Sequence, residues 1–275
     1  LQAKYPQAQA MIDDYNTTHS VMDSEACMAQ LRLIQYRDGI EAALKFAKKA
    51  LMQREWAESE RLMLIDRVAI YLDHMDCGKE ALSLLERELS QPTIDQTVKR
   101  ELLRLKCFVC VRLLDWPLLE HTSQEMQSFA YEISACNRLY HAGALEMQGK
   151  FSAALEVLHA SVQNAAHGQP FLLHLGLFAL RNKINDPSLY ALKKNALTFV
   201  RTKKEKTLAS GLFNAQWYMQ RYGHMLHGMD PLQHFAHYGS LLALDPCPHF
   251  NAAYYNHCQR DVAGFAIDPF LHYLT

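Results

Sequence analysis

The sequence predicts an all-α fold built from consecutive helical hairpins, and three observations carry that expectation. Apolar residues recur at helical spacing along most of the chain, and no segment alternates apolar and polar long enough to argue for a strand. Turn signals interrupt this pattern, as in YHAGALEMQGKFSAALEVL (140–158), where a Gly-Lys pair separates two helical runs. Small or apolar residues follow successive turns at Ala43, Ala81, Leu119, Ala154 and Leu189, spaced 38, 38, 35 and 35 residues apart. A fixed period of this size marks a repeat architecture in which each hairpin buries its face against the next.

In chain order, RDGIEAALKFAKKAL supplies the first unit and MDCGKEALSLLEREL the second. Before the third unit, Thr93 followed by Gln96 reads as a capping box. LRLKCFVCVRLL contains Cys107 and Cys110 on an apolar helical run, so they read as buried structural thiols, not a redox or zinc pair. The third unit is LLDWPLLEHTSQEM. In the fourth, Gly149 supplies the permissive backbone that a helix end needs, and Ala154 is small enough for close helix approach. In the fifth, Asp186 and Pro187 form an N-cap followed by a residue whose missing N–H costs nothing in a first turn.

GKFSAALEVL, with Gly149, Phe151 and Ala154, resembles the tetratricopeptide repeat, whose period is about 34 residues. The resemblance covers about residues 24 to 198. It implies a right-handed helical-hairpin solenoid with a concave groove for extended partners, and no particular ligand.

Composition sets the bounds. Apolar residues make up 49% of the 275, enough for a sizeable core. A formal net charge of -1 implies no nucleic-acid partner. Seven scattered cysteines read as free thiols of a reducing, cytoplasmic setting. No run is long enough to span a membrane. The opening LQAKYPQAQAMIDD lacks a signal-peptide pattern and begins with Leu, so the chain reads as an excerpt of a larger protein.

The character changes near Arg201. Residues 1–200 read as the repeat array, 201–211 as a basic linker (RTKKEK) and 212–275 as a second repeat type. Half of the fourteen histidines lie in the last 65 residues. Phe213, Asn214 and Ala215 match Phe250, Asn251 and Ala252 at an offset of 37. Asp230, Pro231 and His234 match Asp268, Pro269 and His272 at 38. Each unit predicts two short helices, with Asn capping the first and Asp-Pro opening the second. This pattern of Phe-Asn, paired aromatics, Asp-Pro and His resembles a module found beside bacterial glycosyltransferases of surface-polysaccharide synthesis. The module itself implies no activity.

Candidate sites follow from the same region. Phe213/Phe250 and Trp217/Tyr254 recur in register and read as core. Tyr218, Tyr222 and Tyr255 read as rings that present a polar tip to a partner or glycan. Arg201, Lys203 and Lys204, with Lys206, Lys193 and Lys194, read either as a solvated helix end or as phosphate contacts. His224 and His227 are a weaker alternative as metal ligands, and His234 and His272 read as structural buttresses. No phosphate loop, dinucleotide fingerprint, nucleophile elbow or HExxH appears, and no cofactor is implied.

The expected function is therefore a non-catalytic scaffold of a larger bacterial protein, of the glycosyltransferase kind, peripheral at the inner membrane through that parent. It would position a protein partner, a neighbouring domain or a glycan acceptor. The alternatives are a catalytic or metal site built from the C-terminal histidines and acids, and a homo-oligomerisation scaffold.

Overall fold

The structure, a computed structural model, describes residues 6–7, 9–11, 14, 24–53, 56–127, 135–163, 168–259, 261–262 and 267–275. It is all-α, as expected; among the described residues β structure is limited to one isolated bridge between Cys247 and Phe250. The chain divides into two compact units, 1–113 and 114–275.

The first unit holds α1 (Ser24–Asp38), α2 (Ile40–Gln53), α3 (Glu58–His74), α4 (Gly78–Leu89) and α5 (Gln96–Leu113). Each helix packs on the next, and α3 also packs on α5. Leu31, Ala43, Leu64, Val68, Ala81, Leu85, Leu103 and Phe108 are buried along these seams. Two carboxylates drawn into the packing are matched by guanidinium groups. Arg61 clamps Glu88 through two bonds of 2.9 and 2.8 Å, and Arg112 Nε holds Asp73 at 2.9 Å. Paired this way, the buried charges keep hydrogen-bond partners that desolvation would otherwise remove. The cap of α5 differs from the expectation. Asp95, not Thr93, accepts from the backbone N–H groups of Thr97 and Val98, at 2.8 and 3.3 Å, because the helix starts at Gln96. Cys107 and Cys110 are buried in α5, in line with the structural reading.

The second unit holds α6 (Trp116–Gln127), α7 (Ala135–Met147), α8 (Phe151–Gln163), α9 (Gly168–Arg181) and α10 (Tyr190–Ser210). Four short helices follow: α11 (Ala215–Tyr222), α12 (Pro231–Tyr238), α13 (Ala252–Cys258) and α14 (Pro269–Tyr273). Helices α6 to α10 pack in sequence, α12 packs on α10 and α11, and α14 packs on α10 and α13. Gly149 ends α7 with a φ of 73°, the left-handed conformation that closes a helix C-terminus, and Lys150 N–H donates to the Leu145 carbonyl at 2.9 Å. Asp186 caps the turn that leads into α10, as its position before Pro187 predicts. Gly176 lies so close to α10 that a Cβ would stand 2.8 Å from the Leu192 carbonyl carbon.

All five register positions read from the period, Ala43, Ala81, Leu119, Ala154 and Leu189, are buried. Residues 201–210, which make up all but the last residue of the basic linker expected at 201–211, instead continue α10. The physical reason is a buried stripe at helical spacing, Ala196, Val200, Lys203 and Thr207, that runs through the charged segment and keeps it packed. The boundary between the compact units falls at 113/114, and the C-terminal repeat belongs to the same unit as α6–α10. No helix among the described residues is long and apolar enough to cross a membrane.

Candidate functional site

The two C-terminal modules are built by the same local rules. Asn214 accepts from Trp217 N–H at 2.9 Å and Asn251 from Tyr254 N–H at 2.7 Å, which starts α11 and α13. Asp230 and Asp268, each followed by proline, accept from Gln233 N–H and Leu271 N–H, both at 2.9 Å, and start α12 and α14. These four caps fix the direction of each helix pair and so decide which side chains meet across it.

What meets is a tyrosine and a histidine. The Tyr218 hydroxyl is 2.9 Å from His234 Nδ1, and the Tyr255 hydroxyl is 2.8 Å from His272 Nδ1. The surrounding rings repeat the geometry. Phe213 lies 5.4 Å from Tyr218 and Phe250 5.5 Å from Tyr255. Tyr218 meets Phe235 edge-on at 6.0 Å, and Tyr255 meets Tyr273 edge-on at 6.2 Å. The modules are linked in turn by Asp245. Its carboxylate accepts from Ala252 N–H at 2.7 Å, and its backbone N–H donates to the Tyr222 hydroxyl at 3.2 Å.

Two buried ion pairs fasten this assembly to the longer helices. Lys203 Nζ of α10 lies 2.6 Å from Asp268 Oδ2, with side chains only 1% and 5% exposed, and 4.3 Å from the centre of the Phe235 ring. Asp268 uses its other oxygen as the α14 cap, so both oxygens are satisfied. Arg181 of α9 clamps Glu146 of α7 at 2.8 and 2.7 Å, donates to the His237 carbonyl at 3.0 Å, and lies 4.8 Å from the Tyr238 ring centre. A further anchor is Asn256 of α13, which donates to the Tyr140 hydroxyl of α7 at 3.2 Å.

The titratable groups are tuned toward neutrality. Burial, aided by His227, His237 and Arg181, pushes the His234 imidazole down to about 4. Burial also brings His237 to about 4, with Arg181, Lys204 and Lys203 adding to it. Geometry agrees: Lys204 Nζ donates to Gln233 Oε1 at 2.8 Å, which turns the Gln233 amide NH2 toward His237 Nε2 at 2.6 Å. That nitrogen must then accept, and a histidine that accepts is neutral. Burial drives the Tyr218 phenol far above its ordinary range, with Tyr222 and Asp245 reinforcing the shift. In this arrangement Tyr218, His234 and His237 form neutral hydrogen bonds within the fold.

The sequence-predicted residues therefore separate. Tyr218 and Tyr222, expected to present rings at the surface, are 0% and 2% exposed, because their rings pack on each other and Tyr218 packs on His234 and Phe235 of α12 while the Tyr222 hydroxyl accepts from Asp245 N–H. Tyr255 is half-buried and committed to His272. Lys203 is a buried ion-pair partner instead of a phosphate contact, while Lys204 is half-buried on Gln233 and Arg201 remains exposed. His224 and His227 are exposed, and no group of three or more His, Cys, Asp or Glu among the described residues is placed to hold a metal ion. Phe250 is buried, and Phe213, Trp217 and Tyr254 are half-buried.

The Tyr-His pairing and the buried role of Lys203 were not foreseen from the sequence, yet both left signals. Tyr218 and Tyr255 share the 37-residue offset of the Phe-Asn-Ala triplets they follow. Lys203 falls three residues after Val200 and four before Thr207, on the buried stripe of its helix. Arg181–Glu146 joins residues 35 apart that carry no local pattern.

Comparison with family models, with curated proteins and with solved structures finds no match for the chain.

Two predictions follow from this geometry. Lys203→Met or Asp268→Asn alone should destabilise the 114–275 unit by about 3–5 kcal/mol, because each strands a buried partner. The double variant should recover much of that loss, as read by urea unfolding in a double-mutant cycle. The second concerns pH. Unfolded histidines titrate near 6.5, at about the ordinary value, whereas folded His234 and His237 titrate at about 4. Between those values the unfolded chain binds protons that the fold excludes, so stability falls as pH drops from about 6.5 toward 4 and is fully present above that window. Urea midpoints should decline across it, and less steeply in His234→Gln/His237→Gln.

Proposed function

We propose that the chain is a non-catalytic interaction scaffold that positions a protein partner or a neighbouring domain of a larger parent protein. Following the resemblance of its C-terminal repeat, that parent belongs to bacterial surface-polysaccharide or glycoconjugate synthesis. The observation that carries the reading is how the ionisable and phenolic groups of the C-terminal modules are used. Lys203, Asp268, His234, His237, Tyr218 and Tyr255 are each engaged by a partner inside the fold. A nucleophile or general base needs its reactive atom presented to a substrate. Helical hairpins, by contrast, leave extended outer faces, and large apolar side chains such as Tyr36, Met52 and Phe151 stand exposed on them. A glycan acceptor remains within this reading, but it would meet residues other than Tyr218 and Tyr222.

The test is made in the source cell with the parent protein. Photo-crosslinkers at Tyr36 and Phe151 should give discrete protein adducts, while His224→Ala/His227→Ala should leave surface-glycan output unchanged. Loss of glycan output in that histidine variant, with the protein folded and at normal abundance, would overturn the scaffold reading in favour of a catalytic or metal site.

A further inference from the structure

Helix α10 has a second face whose side chains are exposed. Tyr190, Leu197 and Leu208 are 74%, 55% and 63% exposed. At 3.6 residues per turn the three fall within about 20° of one another, along about 27 Å of helix. They lie about 110° around the helix from the buried stripe of Ala196, Val200, Lys203 and Thr207. Lys194 and Arg201 are exposed on the same face, one between Tyr190 and Leu197 and the other between Leu197 and Leu208. Glu205, the sole acid in α10, is exposed at the border of this face, four residues after Arg201, so the cations outnumber it. Half-buried Lys193 and Lys204 border the face and donate to the Ile184 carbonyl and to Gln233. The face is thus apolar, cationic and in single file.

We infer that this face of α10 docks an acidic amphipathic helix of a partner protein. The inference rests on the scaffold reading and names its partner class. Charge selects the occupant. Leucine-type side chains on the partner would meet Tyr190, Leu197 and Leu208, and glutamates beside them would meet Lys194 and Arg201. A second copy of this chain is disfavoured. An antiparallel pair centred on the face sets Lys194 against Lys204, and an in-register parallel pair sets each cation against itself. A lipid surface is disfavoured by width, since interfacial helices bury a broad apolar face and this one is a single side chain wide.

The experiment uses the full 275-residue chain and fluorescence anisotropy. The probe is a fluorescein-labelled synthetic helix with leucines seven and eleven residues apart, matching 190, 197 and 208, and glutamates beside them. The same helix with lysines replacing the glutamates is the control, and vesicles of phosphatidylcholine and phosphatidylglycerol form a separate arm. The acidic helix should bind saturably, more weakly as salt rises, and the lysine helix should not. Leu197→Asp/Arg201→Glu and, separately, Leu208→Asp should weaken binding by about tenfold with an unchanged helical spectrum and melting temperature. Equal affinity in these variants, or no binding of the acidic helix, would overturn the proposal. So would vesicle binding that the variants abolish in the absence of helix binding. Discrete adducts from Tyr36 and Phe151 alongside any of those results would leave the scaffold reading standing and remove only the α10 face.

Discussion

An ammonium group that is 1% exposed cannot stay charged without a partner, and Lys203 has three kinds of stabilisation in one place. Asp268 supplies the opposite charge at 2.6 Å, Phe235 supplies a ring 4.3 Å away, and α10 supplies the rigid stem. Asp268 is at the same time the cap of α14, and Phe235 belongs to the first C-terminal module. The aromatic geometry carries the same connection onward, because Phe270 of α14 packs edge-on against Phe235 at 5.6 Å and Phe250 at 5.2 Å. One lysine therefore joins the long helix to both modules. A buried pair of this kind contributes little net stability compared with an apolar replacement, but it penalises every arrangement that separates its members. Its value is specificity of docking.

The two modules show which parts of the repeat are structural. Caps, the Tyr-His pair and the edge-on ring contacts recur in both, while burial does not: Tyr218 is enclosed and Tyr255 is half-buried. The same local chemistry thus works with and without full enclosure. Differences between the copies mark connections to the rest of the unit instead. Asp230 only caps its helix, whereas its counterpart Asp268 also receives Lys203. Asn256 reaches Tyr140 from the second module, and Arg181 reaches the His237 carbonyl of the first.

Much of this was legible in the sequence, and what was not has a physical cause. Period and helical spacing located the hairpins, because burial on one face of a helix imposes a pattern on neighbouring residues. Ala154 was readable for that reason, and Gly149 and Asp186 because helix ends carry their own local signals. The Asp-Pro and Asn caps were readable because a cap is a contact over three residues. Tyr218 and Tyr222 were misread because a ring with a hydroxyl suits a surface or a core equally, and only the partner decides. That partner, His234 for Tyr218 and the Asp245 N–H for Tyr222, lies 16 and 23 residues away. Lys203 was hidden by its neighbours. In a run of charges the composition reads as solvated, although the stripe through Val200 and Thr207 places one of those charges inside.

The claim at the centre of this account is that the C-terminal modules and α10 form one cooperative body through Lys203. Native-state hydrogen exchange on Lys203→Met measures it most directly. Amides of α10, α12, α13 and α14 should lose protection together, by the same factor. Protection lost from α13 and α14 alone, with α10 and α12 exchanging as in the wild type, would contradict it and make the second module an independent appendage.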